Sequence, residues 1–112
     1  TLDALPIETV SDFKIRRLGV FGQTSMNLIE LEGGKTYPQH YHENSDTEVF
    51  IIRGKGYLVL DGDPIPYHAS EHFSIPRGMW HGFLPSEPTL FLSEQNPQSK
   101  DPVTGVEDLH FA

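Results

Sequence analysis

Two stretches decide how this chain is read: Gly34-Lys-Thr-Tyr-Pro-Gln-His40-Tyr-His42 and Pro76-Arg-Gly78-Met-Trp-His81. In an extended strand residues i and i+2 point to one face, so the imidazoles of His40 and His42 can turn toward the same ion. His81 comes from a later segment and can close on them. The acidic stretch Asp46-Thr47-Glu48 lies near enough in sequence to add a carboxylate. A shell of nitrogen and oxygen donors suits a divalent transition metal, with Fe, Mn, Ni, Zn and Cu all compatible.

Working outward, 112 residues allow one core and leave no room for a separate regulatory module. With no Cys in the chain, thiolate ligands, disulfides and nucleophilic sulfur chemistry are excluded. Any metal must be held by nitrogen and oxygen. Eight Lys plus Arg against sixteen Asp plus Glu give a net charge of −8, which repels phosphate backbones and anionic lipid. Nucleic acid and membrane partners are therefore not expected. The first residues lack a basic start followed by an apolar core, and no apolar run approaches membrane-spanning length, so a soluble, cytoplasmic chain is the expectation.

Short runs rich in β-branched and aromatic residues alternate with Gly, Pro and Asp, and no stretch carries a capped 3.6-residue apolar period. The pattern predicts an all-β fold with strands at Phe13 to Leu18, Thr24 to Glu32, Gln39 to His42, Glu48 to Arg53, Tyr57 to Leu60, His72 to Ile75, His81 to Leu84 and Thr89 to Ser93. Gly33-Gly34, Gly54-Lys-Gly56, Asp61-Gly-Asp-Pro and Pro76-Arg-Gly78 supply the turns. Many short strands at such spacing imply a sandwich or barrel. The barrel core is expected over about residues 13–93, with an N-terminal arm at 1–12 and a C-terminal tail at 94–112. These arms either wrap their own barrel or pair with an exposed strand edge of a second subunit.

Taken together, Gly34-x5-His40-x-His42 with Gly54 closing the next turn, and Ser70-x5-Pro76-x-Gly78-x2-His81, resemble the two motifs of the cupin superfamily. Ser70 stands where a Gly is usual and Pro85 where an Asn often follows. The resemblance spans roughly residues 34–85 and implies a double-stranded β-helix, or jelly-roll barrel, holding a metal inside through His40, His42, Glu48 and His81.

The carboxylate does not carry over cleanly. In the family pattern the Glu has three or four residues between it and the second His and six between it and the closing Gly; both counts land on Thr47. Glu48 is one residue late, and a slip of one residue moves a side chain to the other face of a strand. With Glu48 inward, Phe50 and Ile52 would line the cavity; with Thr47 inward, Val49, Ile51 and Arg53 would. A β-bulge near Asn44-Ser45-Asp46 would bring Glu48 in. The alternatives are a centre of three histidines alone, or one completed by Asp46.

Parity assigns other residues. Phe83, two positions from His81, belongs on the same inward face and is a pocket candidate, as is Phe50 if Glu48 faces in. Arg53 would sit at the barrel mouth and could meet a substrate carboxylate or phosphate, although a solvated turn arginine is the plainer reading. Thr36 and Pro38 share the parity of His40 and point toward the cavity. Trp80, Phe73 and Tyr57 fit a pocket wall or ordinary core. His68 and His72 read as structural or surface residues, and His110 as a tail residue without a chemical role.

Such a centre leaves coordination positions open for a small-molecule ligand or substrate, and supports either Lewis-acid chemistry or O2 activation depending on the metal. The resemblance implies a metal-dependent enzyme of dioxygenase, isomerase, decarboxylase or lyase type acting on a small oxygen-rich metabolite, with Glu48 as fourth ligand or general base. The alternatives are a non-catalytic module that binds a sugar or carboxylate, and a barrel that only mediates subunit contacts. Exposed sheet edges make a two-fold homodimer the expected assembly.

Overall fold

The computed structural model describes residues 5–10, 12–98, 104 and 106–111. Among these residues every element is a strand: β1 (Glu8–Val10), β2 (Phe13–Phe21), β3 (Thr24–Leu31), β4 (Tyr37–Tyr41), β5 (Asp46–Arg53), β6 (Gly56–Leu60), β7 (Asp63–Tyr67), β8 (His72–Ile75), β9 (His81–Pro85), β10 (Thr89–Asn96) and β11 (His110–Phe111). They form two antiparallel sheets, ordered β1-β2-β3-β10-β5-β8 and β11-β4-β9-β6-β7. The chain passes repeatedly from one sheet to the other, which is the expected all-β jelly roll. No helix among the described residues is long and apolar enough to cross a membrane.

Alternation builds the core. In β5, Thr47, Val49 and Ile51 are buried while Asp46, Glu48 and Phe50 lie on the outer side, and β10 buries Phe91, Ser93 and Gln95 in the same rhythm. Phe13, Leu31, Tyr37, Leu58, Tyr67, Ile75 and Phe83 complete the packing between the sheets. Burying one such side chain contributes about 1.5–3 kcal/mol.

Three strands escape the sequence pattern. β7, Asp-Pro-Ile-Pro-Tyr, sits at the edge of its sheet, paired only with β6. Pro64 and Pro66 are two apart, so both missing N–H groups fall on the free side, where no ladder bond is needed. The Asp61-Gly62 turn before it has φ of 47° and 87°, the pair of positive values that a two-residue hairpin favours. β1 and β11 belong to the arms, and each covers an edge of its own barrel, against β2 and β4. The described parts of both arms thus pair with their own barrel.

Two motif positions have direct physical reasons. Gly54 has φ of 105°, and a Cβ there would lie 2.5 Å from the Pro88 carbonyl oxygen, so the turn after β5 admits nothing larger. Ser70, at the usual glycine position, adopts φ of 76°, a left-handed conformation that is strained for any side chain.

Candidate metal centre

His40 ends the inward face of β4, His42 follows that strand by one residue, and His81 opens β9 directly across from His40. A bulge fixes this phase. Tyr37 pairs with Phe83 and His40 with His81, so three steps on β4 match two on β9. Tyr37 and His40 therefore both face inward, whereas Thr36 and Pro38 are exposed, which corrects the simple parity expectation for those two.

The three imidazoles converge. Their ligand atoms lie within 4.8 Å of one another, and His40, His42 and His81 are only 4%, 8% and 3% exposed. Each Nδ1 meets a backbone carbonyl: His40 that of Pro38 at 3.2 Å, His42 that of Asp108 at 2.6 Å, and His81 that of Met79 at 3.0 Å. A carbonyl only accepts, so each Nδ1 carries the proton and each Nε2 keeps its lone pair. Three Nε2 acceptors facing one another have no hydrogen to share, and a cation resolves that arrangement.

Burial reinforces it. Loss of solvation, with His42 nearby, pushes His40 down to about 4, and loss of solvation, with His40 nearby, pushes His81 down to about 3. His42 is also lowered by burial, opposed by its bond to the Asp108 carbonyl and by the carboxylates of Asp108 and Glu107. The rings are neutral at neutral pH, the state a metal requires.

The proposed carboxylate is elsewhere. No bulge re-phases the start of β5: Thr47, 3% exposed, takes the inward position, and Glu48 projects from the outer face. There its Oε2 accepts from His72 Nε2 at 2.9 Å and Ser74 Oγ at 2.5 Å. Glu48 is therefore corrected from metal ligand or base to a surface hydrogen-bond partner. Phe50 shares that face and stacks on His72 at 4.4 Å, so it is not a pocket residue. Asp46 is exposed and bound to the Arg77 backbone and guanidinium, which hold its carboxyl below the usual range. Arg53 is exposed too. A bulge places both Ile51 and Arg53 opposite consecutive residues of β10, and the strand leaves its inward alternation at Ile52. Phe83 does line the cavity, stacked on Phe91 at 4.9 Å.

The cavity beside the triad has a volume of about 60 Å³, room for a few waters. Phe13, Ile29, Val49, Phe83 and Phe91 give it apolar walls. Across from the histidines, β3, β10 and β5 present Asn27, Ser93, Gln95 and Thr47. Sequence reasoning missed Asn27, Ser93 and Gln95, although their signal was available: polar residues at inward parity in otherwise apolar strands. At the mouth Arg17 pairs with Glu8 at 2.8 Å and with Glu107. The tail, in which the sequence singles out only His110 and gives it no chemical role, supplies Glu107, Leu109 and the carbonyl that holds His42. His110 stacks on Tyr41 at 4.9 Å and binds Asp108 Oδ1 at 3.0 Å, fastening that segment.

Comparison with known proteins places these features. The chain is 30% identical over 91 residues to the polyketide synthase CurC of Streptomyces cyaneus, covering 78% of this chain and 59% of that relative. It thus spans less than two thirds of the curated protein it matches. Among solved structures, a PAC13 variant from Streptomyces with uridine superposes with a TM-score of 0.81 at 13% identity, covering 100% of this chain and 87% of the other. PAC13 is described as a nucleoside dehydratase. The polyketide cyclase RemF of Streptomyces resistomycificus gives a TM-score of 0.76 at 23% identity over 88% of this chain and 78% of its own. With the Cupin domain matched over residues 27–93, more than half of its length, the chain belongs to the cupin family.

Proposed function

We propose that this protein is a metal-dependent enzyme that binds a divalent transition ion through Nε2 of His40, His42 and His81 and acts on a small carbonyl-bearing metabolite. One observation carries the reading: three buried imidazoles whose Nδ1 atoms are all engaged by backbone carbonyls, leaving three lone pairs turned inward. An ion there would supply Lewis-acid polarisation of a bound carbonyl or hydroxyl oxygen. The chain's own contribution is to hold three neutral donors in fixed tautomers, exclude bulk water with the aromatic walls, and seat an apolar substrate body against the stacked pair Phe83 and Phe91. The polyketide names attached to CurC and RemF support a substrate that combines carbonyl oxygens with apolar carbon.

The test is metal analysis of the purified protein, followed by titration of the metal-free protein with Co(II), Fe(II) and Zn(II). One ion per chain is expected, with uptake lost in His40→Ala. No stoichiometric uptake of any of these ions, or equal uptake by His40→Ala, overturns the reading.

A further inference from the structure

We propose that Asn27, Thr47, Ser93 and Gln95 form a second binding element, a neutral hydrogen-bonding floor opposite the histidines that takes an uncharged carbonyl or hydroxyl oxygen of the ligand. It deepens the function proposed above and rests on it only for what the ligand's other end does.

The floor is a relay with an unfilled end. Asn27 Nδ2 donates to Gln95 Oε1 at 3.2 Å, and Gln95 Nε2 donates to Ser93 Oγ at 2.6 Å. All three residues are buried. Ser93 accepts in this chain, so its own hydroxyl hydrogen points onward with no partner given to it. In the next strand Thr47 stands in register with Gln95, and its buried Oγ1 has no hydrogen-bond partner. Gln95, directly across the ladder, turns its amide to Asn27 and Ser93 and makes no bond to it. A buried hydroxyl left without a partner costs about 1–3 kcal/mol. Such a group, lining a cavity that faces three metal-ready imidazoles, is matched by a ligand atom.

Charge selects the kind of atom. The floor contains two hydroxyls and two amides and no ionised side chain, and the cationic group lining the cavity, Arg17, is already bound to Glu8 and Glu107. An anion on the floor would be desolvated without a counter-charge. A ketone or alcohol oxygen would accept from Thr47 and Ser93 without that penalty. Facing sheets lie about 10 Å apart, so the ligand is bifunctional: one oxygen toward the histidines and a neutral oxygen several bonds away on the floor, joined by apolar carbon.

The probes are 2,5-hexanedione, which has both oxygens, and 2-hexanone, which lacks one, titrated calorimetrically into wild type and Thr47→Val in Co(II)-loaded and metal-free form. Wild type should bind the diketone about tenfold more tightly than the monoketone, the worth of about one to two hydrogen bonds. In Thr47→Val that ratio should fall to about two or less. The same variant should keep full Co(II) uptake and, having lost an unpartnered buried hydroxyl, should melt about 4–12 °C higher without ligand. A Thr of purely structural value would instead melt lower. The proposal is overturned if Thr47→Val keeps the wild-type diketone preference, or if wild type shows none. If Co(II) is not taken up, the metal reading fails by itself, and the titrations on metal-free protein still decide the floor.

Discussion

Histidine stands on both faces of the barrel wall, as a group of three inside and as His72 alone among other side chains outside, and the surroundings decide what each imidazole can do. The inner cluster joins His40, His42 and His81, buried, with every Nδ1 held by a backbone carbonyl. The outer cluster joins His72 to Glu48, Ser74 and the ring of Phe50, about half exposed, with a side-chain carboxylate as partner. A carbonyl partner fixes the tautomer and leaves Nε2 free, whereas the carboxylate of Glu48 engages Nε2 itself. The inner set is arranged to give electron pairs to an ion; the outer set uses the corresponding atom for a surface contact.

Removing a ring from each cluster gives the largest contrast. Since loss of an outer-shell partner alone typically lowers metal affinity about 10–100-fold, His81→Ala should lower it by at least about 100-fold, and His72→Ala should leave it unchanged. Calorimetric titration of metal-free protein with Zn(II) measures both. Equal affinities in the two variants would erase the distinction between the clusters.

Acid should act through the inner cluster. His40 and His81 are lowered from an ordinary 6.5 to about 4 and about 3, so the unfolded chain binds protons that the folded chain refuses. Above pH 6.5 both states are neutral and nothing is lost; as pH falls from 6.5 toward those folded values, stability declines. Each ring contributes a slope of up to about 1.4 kcal/mol per pH unit. Urea denaturation of metal-free protein at pH 7 and pH 5 should show this loss. His40→Asn should reduce it, and an unchanged slope in that variant would remove His40 as a source.

The contrast also shows what the sequence could convey. His40, His42 and His81 were legible because strand parity and motif spacing are local properties, and the bulge between Tyr37 and His40 leaves the histidine spacing intact. That same bulge defeated the placement of Thr36 and Pro38. For Glu48 the two local signals conflicted, the family spacing pointing to Thr47 and the carboxylate chemistry to its neighbour. The alternation of Thr47, Val49 and Ile51 against β10 decided it, a pairing that depends on residues 40 to 48 positions away. The edge strand β7 was hidden by prolines that only an edge tolerates. The role of the tail was not legible because its key group, the Asp108 carbonyl, is backbone, and backbone atoms leave no trace in composition.

That tail gives the next prediction. Asp108 offers its carbonyl to His42, while its carboxylate accepts from the backbone N–H of Glu43 at 2.9 Å and of Asn44 at 2.7 Å. The side chain thus anchors the segment that orients the ring. Asp108→Ala should weaken metal binding by about tenfold, the lower end for an orienting partner, through a faster metal off-rate. Stopped-flow chelation with EDTA would read this rate, and a rate equal to wild type would show that His42 is held without the anchor.

The smallest effect belongs to the outer carboxylate. Glu48→Gln keeps a side chain able to accept from Ser74 while removing the charge opposite His72. Exposed ion pairs contribute about 0–1 kcal/mol, and the pair lies on the face of β5 turned away from the cavity. Metal affinity should be unchanged and stability should move by less than about 1 kcal/mol. The comparison is sharpest at this position, because the chemistry of a glutamate is that of a metal ligand and the register of its strand alone keeps it out. Moving the carboxylate by one residue, as Thr47→Glu, places it on the inward face that β5 presents to the cavity. The metal-free variant should be destabilised by several kcal/mol, as a buried unpaired charge demands, and stoichiometric Zn(II) should restore it. If Glu48→Gln lost metal and Thr47→Glu did not respond to it, the register itself would be wrong.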